Sequence, residues 1–253
     1  MDFKELWPDG PRFCDESETH RVGMDSILLV YFSMEKKTKK RCKIIDLGCG
    51  AGLIPVLMAV ANPNAIIDGV EIRPQAVRMA EENAAINGYE SAIKINNNDL
   101  RKHREFLNSG IYDLVISNPP YFKTGCGKRS LKPETSTARF EDMCTFSDIC
   151  AAAAYLTKSG AFTFVHRPER LPELFGTLIS HGLQPKRLRF VQQTSDSPPI
   201  LVLIESRAGA KPSLTVDAPL ILKNNDGSDS EEFLQAYHMR PARQEEKCAT
   251  EYE

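Results

Sequence analysis

Long apolar runs are missing from this chain. The longest, Leu53 to Ala61, is nine residues, far short of the roughly 20 that a membrane-spanning helix needs. The first residues, MDFKELWPDGPRF, carry no basic segment followed by an apolar one, so no secretory signal is expected. No CxxC pair occurs among the seven cysteines, at 14, 42, 49, 126, 144, 150 and 248. That argues against a disulfide framework and a zinc site, and for reduced thiols in a cytoplasm. The five histidines show no ligand spacing, so no metal is expected. Excess charge of one sign is absent too: 32 Lys and Arg face 34 Asp and Glu, for a net charge of −2. The whole molecule is therefore no polycation, and a nucleic-acid site has to be a local patch.

Such patches exist. Residues 101–140 hold eight basic and three acidic residues, and residues 158–189 hold six and two. Residues 217–253 hold four and nine. This permits an anionic partner on one face, although a solvated surface with an acidic tail accounts for the counts equally simply. Hydrophobic residues make up 42% and charged residues 26%, which is globular composition and excludes disordered, collagen-like and coiled-coil classes.

Strand and helix signals alternate. KIIDLGC (43–49) reads as a buried strand entering a glycine turn, and Leu53–Ala61 as an apolar helix stopped at Asn62-Pro63. A second strand follows at 65–72, then a helix over 73–87 with Pro74 in its first turn and Gly88 just past its end. Further strands are predicted at 92–97, 112–117, 161–166, near 186–192 and at 200–205. A short basic helix is expected at 100–107, a helix at 146–158 closed by Gly160, and one at 169–180 closed by Gly182. The alternation predicts an α/β fold with a doubly wound, largely parallel sheet. Its last two strands, separated by a Ser/Pro turn, should form a hairpin that puts one antiparallel strand at the edge. The expected organisation is an N-terminal segment or lid (1–40), a main domain (41–209) and a C-terminal extension (210–253) carrying a strand-like patch at 219–222. Its last ten or so residues are expected to be disordered.

Three motifs carry chemistry. Asp46-Leu47-Gly48-Cys49-Gly50-Ala51-Gly52 joins a strand to a helix, and its glycines allow a ligand to approach backbone at the carboxyl edge of the sheet. Gly48 and Gly50 fit a dinucleotide fingerprint, but Leu53 takes the third glycine position, which disfavours a nicotinamide cofactor. Glu71 ends the second strand, where a carboxylate can accept both hydroxyls of a ribose. Asp99, after the third strand, can accept from an exocyclic amine or cap the helix that follows. The third motif is Asn118-Pro119-Pro120-Tyr121 after the fourth strand. Two prolines fix the backbone and leave carbonyls free. The Asn118 side-chain oxygen and the Pro119 carbonyl can both accept from one planar NH2 group, and Tyr121 offers a face on which a base stacks. Alone the tetrapeptide would serve equally as a structural corner; four strands after the glycine turn it reads as a site.

DLGCGAG, VEIRPQA and ISNPPYF together resemble the class I S-adenosylmethionine-dependent methyltransferases of amino groups. RVGMDSILLVYFS, NPPYFKTG with a later ARFE, and HRPERLPELFGTLISHGLQPKRLRFV are similar to the tRNA adenine-N6 methyltransferase family that modifies valine tRNA beside the anticodon. The resemblance spans roughly residues 10–235; Phe140 stands where a His would be expected. It implies a Rossmann-like seven-stranded methyltransferase sheet, mostly parallel with an antiparallel C-terminal hairpin strand, and S-adenosyl-L-methionine as cofactor. It implies catalytic roles for Asn118, Pro119, Pro120 and Tyr121. Asp46, Gly48 and Gly50 would line the methionine part of the cofactor, Glu71 the ribose and Asp99 the adenine. Asp25, ahead of the sheet, is a further candidate. Lys123, Lys128, Arg129, Lys132 and Arg139 are candidate RNA-phosphate contacts in the loop after the motif. The partner implied is a tRNA, with no membrane or metal; oligomeric state stays open, a monomer being favoured. The alternatives are a protein glutamine-N5 methyltransferase, a guanine-N2 or DNA-adenine enzyme, and a non-catalytic RNA-binding module on the same fold.

Overall fold

The structure, a computed structural model, describes residues 3–14, 23–34, 42–119 and 144–239. Two short strands, β1 (Phe3–Glu5) and β2 (Arg12–Cys14), pair antiparallel ahead of helix α1 (Met24–Met34). Then strand and helix alternate: β3 (Lys43–Leu47), α2 (Leu53–Ala61), β4 (Ile66–Glu71), α3 (Pro74–Ile86) and β5 (Ile93–Asn97). A 3-10 turn (Leu100–Lys102) and the single turn α4 (His103–Phe106) lead to β6 (Tyr112–Ser117). After the undescribed loop come α5 (Phe146–Leu156), β7 (Thr157–His166), α6 (Leu171–Ser180), β8 (Leu183–Gln192) and β9 (Pro199–Ala208). Two-residue strands β10 (Thr215–Val216) and β11 (Leu220–Ile221) and the helix α7 (Glu231–Tyr237) close the described chain.

Local chemistry sets most boundaries. Pro74 opens α3, and Gly88, at φ +74°, turns the chain after it. Thr145 and Asp148 form a reciprocal capping box that starts α5. Asn62 ends α2, directly before Pro63.

The main sheet runs β10-β8-β9-β7-β6-β3-β4-β5, with β11 also on β8. Strands β3 to β7 are mutually parallel, and β9 is antiparallel to both β7 and β8. The expected seven strands are thus present, with two short ones added outside β8. The hairpin forms as expected, but its antiparallel strand is not at the edge. β9 inserts between β7 and β8, since a crossover through α6 carries β8 outward and leaves the central place open. Gly160 also departs from expectation: the helix ends at Leu156, and Gly160 lies inside β7, not at a helix cap.

Both faces of the sheet are covered, as a parallel sheet requires. One apolar core joins α1 and α2 to Ile44, Ile67, Leu114 and Leu203. The other joins α5 and α6 to Ile45, Leu47, Val115, Phe162 and Phe164. Every strand of the parallel run therefore ends its carboxyl edge on the same side. The strand order reverses between β3 and β6, which is where such sheets open a crevice. Residues 120–143 and 240–253 lie outside the described residues, and with them the segment expected to be disordered.

Candidate active site

The crevice is a cleft of about 590 Å³, its open mouth included, lined by residues from the ends of β3, β4, β5 and β6 and from α5. Gly48, Glu71, Asp99, Asn118 and Pro119 line it together. Five residues picked from scattered motifs are thus brought to one cleft by the parallel register, Leu47 beside Val70 and Glu71 beside Asn97.

The glycine turn is built on left-handed backbone. Gly48, Gly50 and Gly52 have φ of 82°, 54° and 81°, a region costly for other residues. Among the described residues, chain neighbours aside, no heavy atom lies within 4 Å of where a Cβ on Gly48 would be, whereas one on Gly52 would press Ala80 at 2.9 Å. Gly48 thus leaves room for a ligand, and Gly52 allows α3 to pack close. Gly50 N–H donates to Glu71 Oε2 at 3.0 Å, tying the turn to the end of β4.

Glu71 is buried. Its Oε1 also accepts from the Arg73 backbone N–H at 2.9 Å and from Arg73 Nε at 3.1 Å. Asp46 lies deeper still, 1% exposed. Neither of its carboxylate oxygens has a hydrogen-bond partner among the described residues. Burial, reinforced by the nearby Glu71 charge, pushes its carboxyl well above the usual range. Asp99 caps the turn after β5: it accepts from the Arg101 backbone N–H at 3.0 Å and pairs with the Arg101 guanidinium. Arg101 holds the Asp99 carboxyl below its ordinary value. Asp99 is thus a cap, as one reading of the sequence had it, and it also lines the cleft.

Asn118 follows β6, and its Nδ2 donates to Ser26 Oγ at 2.9 Å. One residue back, the Ser117 hydroxyl donates to the Leu47 carbonyl at 2.8 Å, fastening this corner to the glycine turn. Neither Asp25 nor Ser26 is among the residues lining the cleft. Pro120, Tyr121, Lys123, Lys128, Arg129, Lys132 and Arg139 lie outside the described residues. Leu47, Val70, Ile72, Asn98, Leu100, Cys144 and Ile149 complete the lining, and sequence reasoning assigned none of them a role. For Ile72 and Leu100 a signal existed, since each directly follows a strand-end carboxylate.

The donor set fits S-adenosylmethionine. A glycine turn with open space over Gly48 admits a backbone-hugging ligand, Glu71 can face a ribose, and the orphaned Asp46 carboxylate offers two acceptors near the turn. No group of three metal-binding side chains occurs among the described residues.

Fold and cleft together define an S-adenosylmethionine-dependent methyltransferase. The family model described as the methyltransferase small domain matches residues 21–177, and the chain belongs to that family. Among curated relatives it is 31% identical over 225 residues to the tRNA1(Val) (adenine(37)-N6)-methyltransferase of Tolumonas auensis, covering 85% of this chain and 86% of that one. The protein of the same name from Proteus mirabilis is 30% identical over 224 residues, with 84% of each chain covered. Solved structures share the fold at lower identity. A predicted O-methyltransferase of Agrobacterium tumefaciens superposes with a TM-score of 0.69 at 20% identity, over 86% of this chain and 97% of that one. The geranyl diphosphate C-methyltransferase of Streptomyces coelicolor, bound to S-adenosyl-L-homocysteine, gives 0.52 at 11% identity, over 71% and 78%.

Proposed function

We propose that this enzyme transfers a methyl group from S-adenosylmethionine to the exocyclic N6 amine of an adenine in tRNA, valine tRNA beside the anticodon being the substrate its relatives' names indicate. The observation that carries the reading is that Asn118 and Pro119 line the same cleft as Gly48 and Glu71. Gly48, Gly50 and Asp46 would hold the methionine part of the cofactor, Glu71 its ribose and Asp99 its adenine. When bound, the cofactor supplies a methyl group on a positively charged sulfur, a good leaving group.

The work left to the protein is alignment. Adenine N6 is a weak nucleophile because its lone pair is delocalised into the ring. Accepting both amine hydrogens on Asn118 Oδ1 and the Pro119 carbonyl turns that lone pair toward the methyl carbon. The nitrogen bonds to carbon as the carbon–sulfur bond breaks and its electrons stay on sulfur. The methylated nitrogen, now cationic, releases its proton to solvent, so no general base is needed before attack. The base must leave its stack to enter; Pro120 and Tyr121 would complete the corner and hold it. Lys123, Lys128, Arg129, Lys132 and Arg139 would contact phosphates, giving steep salt dependence. No described helix is long and apolar enough to cross a membrane. The described cysteines are free thiols, in keeping with a cytoplasmic enzyme.

The test is incubation with labelled cofactor and bulk tRNA, followed by nucleoside mass spectrometry. N6-methyladenosine is the expected product; label confined to protein would instead support glutamine-amide methylation. Asn118→Ala should slow transfer by about a hundredfold or more while calorimetry still detects cofactor binding.

A further inference from the structure

The side chain assigned to grip the amine is itself gripped, by a residue 92 positions earlier in the chain: Asn118 Nδ2 donates to Ser26 Oγ at 2.9 Å. Ser26 is buried, near the start of α1. An asparagine amide has two ends of nearly equal size and opposite polarity, and its terminal torsion has broad, roughly two-fold preferences. Only one end serves the reaction. With the oxygen toward the substrate, Asn118 accepts from the target amine; with the NH2 there, two donors meet. Holding the nitrogen end on Ser26 fixes the amide plane and sends the oxygen the opposite way.

The holder is rigid. Further along α1, Ser33 Oγ and Thr163 Oγ1 of β7 lie 2.8 Å apart. The Phe32 carbonyl accepts from the Arg187 guanidinium at 2.5 Å, and that guanidinium lies 3.7 Å from the centre of the Phe32 ring. α1 is thus pinned to β7 and β8, and the Ser26 hydroxyl stands at the free end of a fixed strut. The backbone at the corner is set separately, by the Ser117 bond to Leu47 and by the proline at 119.

We infer that Ser26 is a positioning residue for methyl transfer, acting through Asn118 by orienting its amide. The inference rests on the proposed role of Asn118 and extends it to a residue outside the motif.

Full-length Ser26→Ala and Ser26→Thr enzymes, assayed with labelled cofactor and tRNA, test it. Alanine is a good helix former and leaves no clash, so Ser26→Ala should melt close to the wild type. Its kcat should fall about tenfold, the size of one hydrogen bond lost in the transition state. Its KM for tRNA and its cofactor affinity should be unchanged, and a Ser26→Thr enzyme that melts normally should regain most of the rate. Wild-type kcat in Ser26→Ala, a parallel loss of cofactor affinity, or a folded Ser26→Thr as slow as Ser26→Ala overturns the inference. Asn118→Ala serves as the control on the underlying reading. If it keeps the wild-type rate, the amine-gripping role itself falls. If it is inactive while Ser26→Ala is normal, only the role of Ser26 falls.

Discussion

Asp46 places a carboxylate under the glycine turn with neither oxygen hydrogen-bonded among the described residues. A buried polar group left in that state costs about 1–3 kcal/mol. We expect Asp46→Asn to raise the melting temperature of the cofactor-free enzyme by a few degrees and to weaken cofactor binding by about tenfold, read by calorimetry. The pH dependence follows from the raised pKa. The folded state keeps the Asp46 proton at pH values where the unfolded chain has lost it. Its stabilising contribution is therefore whole below about pH 4, the ordinary range of an aspartate. It fades as pH climbs from there through the folded value, so the gain from Asp46→Asn should widen with pH over that window. At this scale the sequence was informative wherever the chemistry was local. Glycines, a strand-end acid and an Asn-Pro corner each announce themselves. It was silent about Ser26, because a serine two residues into an apolar helix looks like filler until the fold brings Asn118 to it. Asp25 drew attention through its charge, yet the contact belongs to its neighbour.

Helices and strands with their own punctuation were equally legible. α3 shows Pro74 and Gly88, and α2 ends before Pro63, so their limits could be read almost to the residue. β1, β2 and β10 are two or three residues long and too short to show any period, so pairing alone defines them, whereas β11 falls inside the strand-like patch at 219–222. α7 depends on its Ser230 cap and on packing against α1. Gly160 shows how one residue type misleads. Past an alanine-rich helix it looks like a terminator. In the structure β7 bulges there: Tyr112 pairs with Thr157, but Leu114 with Ala161. A Cβ at 160 would lie 2.5 Å from the carbonyl oxygens of Tyr112 and Asp113. Glycine is required by the approach of β6, not by a helix end. Gly160→Ala should therefore destabilise by about 1–3 kcal/mol, measured by chemical denaturation. It should leave the cofactor affinity of the remaining folded enzyme intact, since β6 reaches the cleft only at its far end.

Across the whole molecule, one buried cation ties distant parts of the chain. Arg187 of β8 is 4% exposed. It pairs with Glu205 of β9 at 3.4 Å and with Asp217 at 3.3 Å, while also binding the end of α1. Arg187→Ala would take an ion-pair partner from the buried Glu205, which also pairs with Arg207. It should destabilise the fold by about 3–5 kcal/mol, seen as a large drop in melting temperature. Because α1 also carries Ser26, transfer activity in the surviving folded fraction should fall as well. The same tie bears on synthesis. A ribosome releases α1 before β8 and β9, so the part of the strut's anchorage that runs through Arg187 and Phe32 cannot form until those strands have left the exit tunnel. A nascent chain that stops short of β8 would carry every motif of the cleft and still lack this tie.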